Sequence, residues 1–221
     1  MKLQGEDKLV AAFLTNGKTD IAVLYASGQI VRYDENQVPV VGIKAGGVRS
    51  GSRSITAPLV GGVGISDDSK RNLMIATDKG GIKPIYPRYI NVTSRNTVGT
   101  LSFKSFKSDH HDAIGIITYS EEDIVQVLSN FKSRELEASK IPYQPIDKII
   151  NKYIELDKLE KLTSIYTSYT QYVDDKTKSY ALPEKEVEIA NFDEEKLVEK
   201  EKIDEKKEKY KNLSIDDLFK L

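Results

Sequence analysis

Residues 21–51 (IAVLYASGQIVRYDENQVPVVGIKAGGVRSG) and residues 73–103 (LMIATDKGGIKPIYPRYINVTSRNTVGTLSF) decide the reading of this chain, because one slides onto the other. At an offset of 52 residues, Gly28 falls on Gly80, Ile30 on Ile82 and Gly47 on Gly99. A third copy begins at Ile124 (IVQVLSNFKSRELEASKIPYQ); Leu136 and Ile141 keep its pattern, but both glycines are gone. A repeat of about 40–55 residues built from about four short strands is the signature of propeller blades. Glycine at matched turns is expected where the backbone turns through positive φ or passes close to another chain.

The same texture extends outward. Residues 9–14, 21–25, 29–33, 58–65, 73–76, 100–106, 113–119 and 124–128 are short runs rich in apolar and β-branched side chains. They are bounded by turn formers such as Thr15-Asn16-Gly17, Ser66-Asp67-Asp68 and Ser108-Asp109. Many short punctuated strands suggest an all-β barrel, sandwich or propeller, and the repeat favours the propeller. Residues 1–140 are therefore expected to be blades. Residues 141–182 read as a closing segment of helix or strands. Within it, Ile146, Ile149, Ile150, Tyr153, Ile154 and Leu156 suit an amphipathic helix over 146–162. Residues 162–173 are rich in Thr, Ser and Tyr and suit a strand. Residues 183–221 form a Glu/Lys-dense tail, helical through i,i+4 pairs or disordered. Its end, 213–221 (LSIDDLFKL), regains Leu, Ile and Phe and is a candidate docking peptide.

Composition excludes several classes. Among 221 residues there is no cysteine, so there is no disulfide framework, thiolate nucleophile or Cys-ligated zinc. No apolar run is long enough to span a bilayer as a helix, and MKLQGEDKLV lacks the apolar core of a secretory signal. No phosphate-binding loop, nucleophile elbow or zinc-protease motif occurs. The only histidines, His110 and His111, are adjacent in Ser108-Asp109-His110-His111-Asp112. Neighbours on an extended chain point to opposite sides, so this stretch reads as a polar turn rather than a metal site.

Charge carries more information. Residues 1–110 hold 15 basic and 9 acidic side chains, whereas 111–180 hold 9 and 12 and 181–221 hold 9 and 13. A basic front with an acidic rear points to a polyanion partner for the front. Between Lys44 and Lys107 only Asp67, Asp68 and Asp78 interrupt eleven cations, several of them in small-residue turns such as Gly46–Arg53 and Asp78–Gly81. Small residues let phosphate approach backbone N–H groups, and Arg or Lys supplies the charge. On charge alone, a solvated β surface and a polyanion-binding surface both fit.

The residues also carry a resemblance. The run 32–51 (RYDENQVPVVGIKAGGVRSG) resembles a blade of the C-terminal domain of the topoisomerase IV A subunit (ParC) of Gram-positive bacteria, with Tyr33-Asp34-Glu35 leading into 38–42 and then 44–48. Residues 73–106 resemble the next blade, Asp78-Lys79-Gly80-Gly81 being its hairpin turn and Thr93-Ser94-Arg95 preceding the next strand. The stretch 103–116 (FKSFKSDHHDAIGI) resembles the connection to the strand after that, and 1–4 the end of a preceding blade of a longer protein. The resemblance implies a β-pinwheel, a propeller-like partial disc of four-stranded blades whose basic rim bends duplex DNA. It implies no catalysis by this chain, since the cleaving tyrosine lies in another domain, and no cofactor here, ATP and Mg being used elsewhere in the holoenzyme. Implied partners are duplex DNA, the A-subunit catalytic core and the B subunit, in the bacterial cytoplasm at the nucleoid and not at a membrane. The expected phosphate contacts are Arg32, Lys44, Arg49, Arg53, Lys79, Lys83, Arg88, Arg95, Lys104 and Lys107. The chain lacks the Q-R-R-G-G-K-G-like box of the gyrase A subunit, so gyrase is the second family reading. The alternative of another class is a protein-interaction propeller whose basic rim meets an acidic protein.

Overall fold

The computed structural model describes residues 5, 8–42, 45–66, 70–146 and 148–167. Ten strands lie among them: β1 (Asp20–Tyr25), β2 (Gln29–Asp34), β3 (Leu59–Ile65), β4 (Asn72–Thr77), β5 (Ile82–Ile85), β6 (Thr100–Leu101), β7 (Ala113–Tyr119), β8 (Ile124–Ser129), β9 (Ser133–Glu137) and β10 (Leu162–Thr167). They form three antiparallel sheets, in the orders β3-β1-β2-β6, β7-β4-β5 and β10-β8-β9. Three strands of each sheet are made by one chain path, and β6 joins the first sheet from the second repeat. A hairpin ends in a single 3-10 turn (Glu35–Gln37, Pro87–Tyr89 or Ala138–Lys140). A long excursion follows, and a return strand pairs with the hairpin's first strand. The hairpins begin at Asp20, Asn72 and Ile124, so the 52-residue period of the sequence is the blade period.

The excursion of each later repeat also closes the hairpin turn of the blade before it. In the first blade, Ser102 donates to the Gly28 carbonyl through its backbone N–H at 2.8 Å and its hydroxyl at 2.6 Å, beside the β2–β6 pairing. In the second, the N–H groups of Tyr153 and Ile154 donate to the Gly80 carbonyl at 2.9 and 3.0 Å, and Gly81 bridges to Lys152. Gly28 and Gly80 share φ values of 88° and 86°. At Gly80 a Cβ would collide with the Ile154 backbone oxygen, so no larger residue fits. The third hairpin has no glycine. There Ser129 accepts from the Phe131 and Lys132 N–H groups at 3.2 and 3.0 Å, and Asn130 exchanges hydrogen bonds with Lys161. A short polar side chain supplies the turn that glycine supplies elsewhere.

Stacking of blades builds the core. Strand side chains alternate between faces. On β4, Leu73 and Ile75 join Ala22, Leu24 and Ile30 of the first blade, while Met74 and Ala76 join Val125 and Val127 of the third. The middle blade is thus buried on both faces, which is why its first strand reads as the unbroken run Leu73-Met74-Ile75-Ala76. The outer face of the first blade is covered by its own excursion, through Ile55 against Val23, Val31 and Tyr33. The third blade instead turns Gln126 outward to Glu135, so β8 alternates as IVQVLS. Each fully buried Leu, Ile or Met contributes about 1.5–3 kcal/mol, against about 0–1 kcal/mol for an exposed ion pair. Blade stacking, not the charged rim, therefore holds the fold.

Several expectations need correction. Among the described residues of 146–162 no helix forms; they are extended or turned, and strand Leu162–Thr167 returns to pair with β8. The spacing of four between Ile150 and Ile154 fits a helix, but it is equally two steps of an extended chain. Ile150 enters the core between the first two blades and Ile154 the core between the last two, with their backbones bonded to Lys104 and Gly80. Residues 9–14 carry no strand, although Phe13 lies against the glycines of β3. Only Thr100–Leu101 of the run 100–106 is strand. The tail 183–221, with the candidate docking peptide 213–221, lies outside the described residues.

Candidate nucleic-acid interface

The excursion of the first blade presents Arg49 and Arg53 to solvent. It is not a loose loop. Gly51 sits flat against the Tyr25 ring, and Tyr33 donates from its hydroxyl to Ser50 at 3.2 Å. The Ser52 N–H donates to the Thr97 carbonyl of the second blade's excursion at 2.9 Å. Arg95 locks the two excursions together: its N–H donates to the Gln37 side chain at 2.8 Å, and its guanidinium donates to the backbone carbonyls of Gln37 and Arg49. The result is an arginine patch, two exposed and one anchoring, on a pinned backbone rich in Gly and Ser. Exposed Arg side chains on a Gly/Ser backbone suit sequence-independent phosphate contacts.

The remaining expected contacts divide. Arg88, Lys104 and Lys107 are exposed. Lys79 is half-exposed but engaged: its ammonium lies 2.9 Å from Asp109, which also takes Lys152 at 2.9 Å. These two cations hold the Asp109 carboxyl well below the usual carboxylate range. Lys44 lies outside the described residues.

Two expected contacts are corrected by burial. Arg32 pairs with Asp20 at 2.7 Å and donates to the carbonyls of Pro87 and Ile90 at 2.8 and 3.2 Å, so it ties the first blade to the 3-10 turn of the second. Lys83 is 0% exposed, its ammonium 3.4 Å from the carbonyls of Ile146 and Lys148. Neither presents its charge to a ligand. Both stand on strands where alternation turns them inward, a distinction that charge counting does not make.

The two histidines take opposite environments. His111 is buried with its Nδ1 2.9 Å from the Thr77 hydroxyl, and burial pushes its pKa down. His110 is exposed beside Asp112 at 3.3 Å. No group of three metal-ligating side chains occurs among the described residues.

Sequence reasoning missed two features. One is a carboxylate, Glu160, whose side chain is 0% exposed. The Arg134 guanidinium holds both its oxygens, at 2.7 and 2.8 Å, and Ser129 donates to it at 2.6 Å. Arg134 foremost, then Ser129, keeps its pKa below the usual range despite burial. The other is a tyrosine group. Tyr86 and Tyr143 lie 5.0 Å apart, and Tyr89 lies 6.1 and 6.3 Å from them. The interleaving Tyr86-Pro87-Arg88-Tyr89 was the available signal.

No family model matches the chain. Among curated proteins it is similar to the A subunit of DNA topoisomerase 4 from Bacillus subtilis (strain 168), 22% identical over 174 residues. That match covers 77% of this chain but only 21% of the relative, so the chain spans about a fifth of that protein's length. Among solved structures, a C-terminal domain of DNA topoisomerase IV superposes with a TM-score of 0.69 at 18% identity, covering 75% of this chain and 51% of that one. The fold is a β-pinwheel. The E. coli ParC C-terminal domain shares it, with a TM-score of 0.53 at 13% identity over 69% of this chain and 63% of that one. In pinwheel terms, the arginine patch lies where the excursions of the first and second blades meet.

Proposed function

We propose that this pinwheel is the DNA-binding and DNA-bending module of a type IIA topoisomerase, the C-terminal part of a topoisomerase IV A subunit. It takes duplex DNA through phosphate contacts from Arg49 and Arg53, with Arg88, Lys104 and Lys107 extending the basic surface. In the whole enzyme it presents a duplex segment for strand passage, beside the A-subunit core and the B subunit, at the nucleoid. Cleavage, ATP and Mg belong to those other domains. The observation that carries this reading is the pinned patch: Arg95 and the Tyr25–Gly51 contact fix a Gly/Ser backbone under two exposed arginines. Similarity to a topoisomerase IV protein supports the choice of polyanion.

The test is duplex binding by fluorescence anisotropy at several salt concentrations on unrelated sequences. Affinity should be alike for all sequences, and log K should fall with log salt at about −0.9 per phosphate neutralised. Absence of binding at low salt, or binding confined to one sequence, overturns the reading. Retention of an acidic protein at high salt without any DNA binding would favour a protein-interaction propeller instead.

A further inference from the structure

We propose that the junction between the second and third blades is a stacking site for unpaired bases, so that the pinwheel holds single-stranded DNA as well as duplex. Tyr86 caps and Tyr89 ends the 3-10 turn of the second blade, and Tyr143 arrives from the third. Tyr89 and Tyr143 are 44% and 41% exposed. The Arg88 guanidinium lies 4.5 Å from the Tyr86 ring centre and 5.2 Å from that of Tyr89, a planar cation over planar rings. Tyr143 also lines an open cleft of about 610 Å³ with Lys104, Lys148 and Ile149. The solvent-exposed parts of the Tyr89 and Tyr143 rings give bases a platform, and the flanking cations give the backbone its counter-charge. Paired bases in a duplex have no faces to offer, so the ligand is a strand with unpaired bases.

The repeat supplies an internal control. At the 52-residue offset, Tyr86-Pro87-Arg88-Tyr89 falls on Asp34-Glu35-Asn36-Gln37 of the first blade. The same 3-10 turn forms there without an aromatic residue. The third blade builds it at Ala138–Lys140, again without one. The turn does not need tyrosine, and three tyrosines with one arginine at a single copy are therefore a surface with a ligand. This site shares Arg88 and Lys104 with the proposed duplex surface but not Arg49 or Arg53, and the comparison of thymidylate with an abasic strand reads base stacking alone, so the two readings fail separately.

The full chain is tested by anisotropy against labelled oligothymidylate, an abasic oligonucleotide of equal length, and a duplex. Oligothymidylate should bind roughly five- to hundred-fold tighter than the abasic strand. Tyr89→Gln with Tyr143→Ala should remove that difference and leave duplex affinity within about two-fold. Tyr143→Phe, which keeps the ring, should retain it. Circular dichroism melting checks that the variants fold, and the abasic comparison needs no variant. Equal affinity for thymidylate and abasic strands, no single-strand binding, or loss of duplex and single-strand affinity together would each overturn the proposal. So would a proline-rich peptide that binds this junction while oligothymidylate does not.

Discussion

The pinwheel has two homologous junctions, and they are built from different chemistry. Between the first and second blades the contacts are polar. Arg32 reaches Asp20 and two carbonyls, Gln37 donates to Thr93 at 3.0 Å, and Arg95 returns to Gln37. Between the second and third blades the corresponding surface is aromatic, with Tyr86 and Tyr89 under Arg88 and Tyr143 beside them. The backbone is the same in both. What differs is the chemistry beside the 3-10 turn: at the first junction Arg32 and Arg95 bond within the protein, whereas at the second Arg88, Tyr89 and Tyr143 face solvent. Around this turn the first junction fastens, whereas the second presents rings.

The strongest way to break this contrast is at the fastening. Arg32→Ala removes a mostly buried partner and strands Asp20 and two carbonyls, which should cost about 3 kcal/mol. Thermal denaturation should show the loss, while duplex affinity of the folded variant stays near wild type. Weaker DNA binding at unchanged stability would place Arg32 on the interface after all. Next comes the patch: Arg49→Ala with Arg53→Ala should make the salt slope shallower by about 1.8, equally across sequences. Tyr89→Gln, which gives the second junction the residue of the first, should lower stability by about 1 kcal/mol. A much larger fall would make the aromatic junction a fastening too. The smallest effect is that of pH. Glu160 and Asp109 have pKa values held below their unfolded ones, so their contribution is present above the ordinary carboxylate range and is lost as pH falls below about 4. An acid titration of Glu160→Gln should lack part of that loss; an unchanged acid transition would show that the Arg134 pair is not linked to folding.

Strand positions were legible where one face is buried. Ala113–Tyr119 and Ile124–Ser129 stand where alternation places them. Strand Ile82–Ile85 was hidden by Pro84, which the sheet tolerates because β5 is paired on one side only, with β4. Ser133–Glu137 was hidden by its charges, which suit an edge. At the site, exposure of Arg49 and Arg53 followed from their Gly/Ser surroundings. Burial of Arg32 and Lys83 did not, because it depends on excursions from the next blade. The tyrosine junction was illegible for the same reason, since Tyr143 meets Tyr86 from 57 positions further along the chain.

The bonds that close the hairpin turns, Ser102 to Gly28 and Ile154 to Gly80, each span 74 residues. During synthesis, therefore, neither of these two blades is finished when its own repeat leaves the ribosome. The first waits for residues near 102 and the second for residues near 154, so a nascent pinwheel always carries one open hairpin behind its growing end. Long-range closure of this kind slows folding and couples the blades. A ribosome stalled within one repeat leaves two blades incomplete, not one.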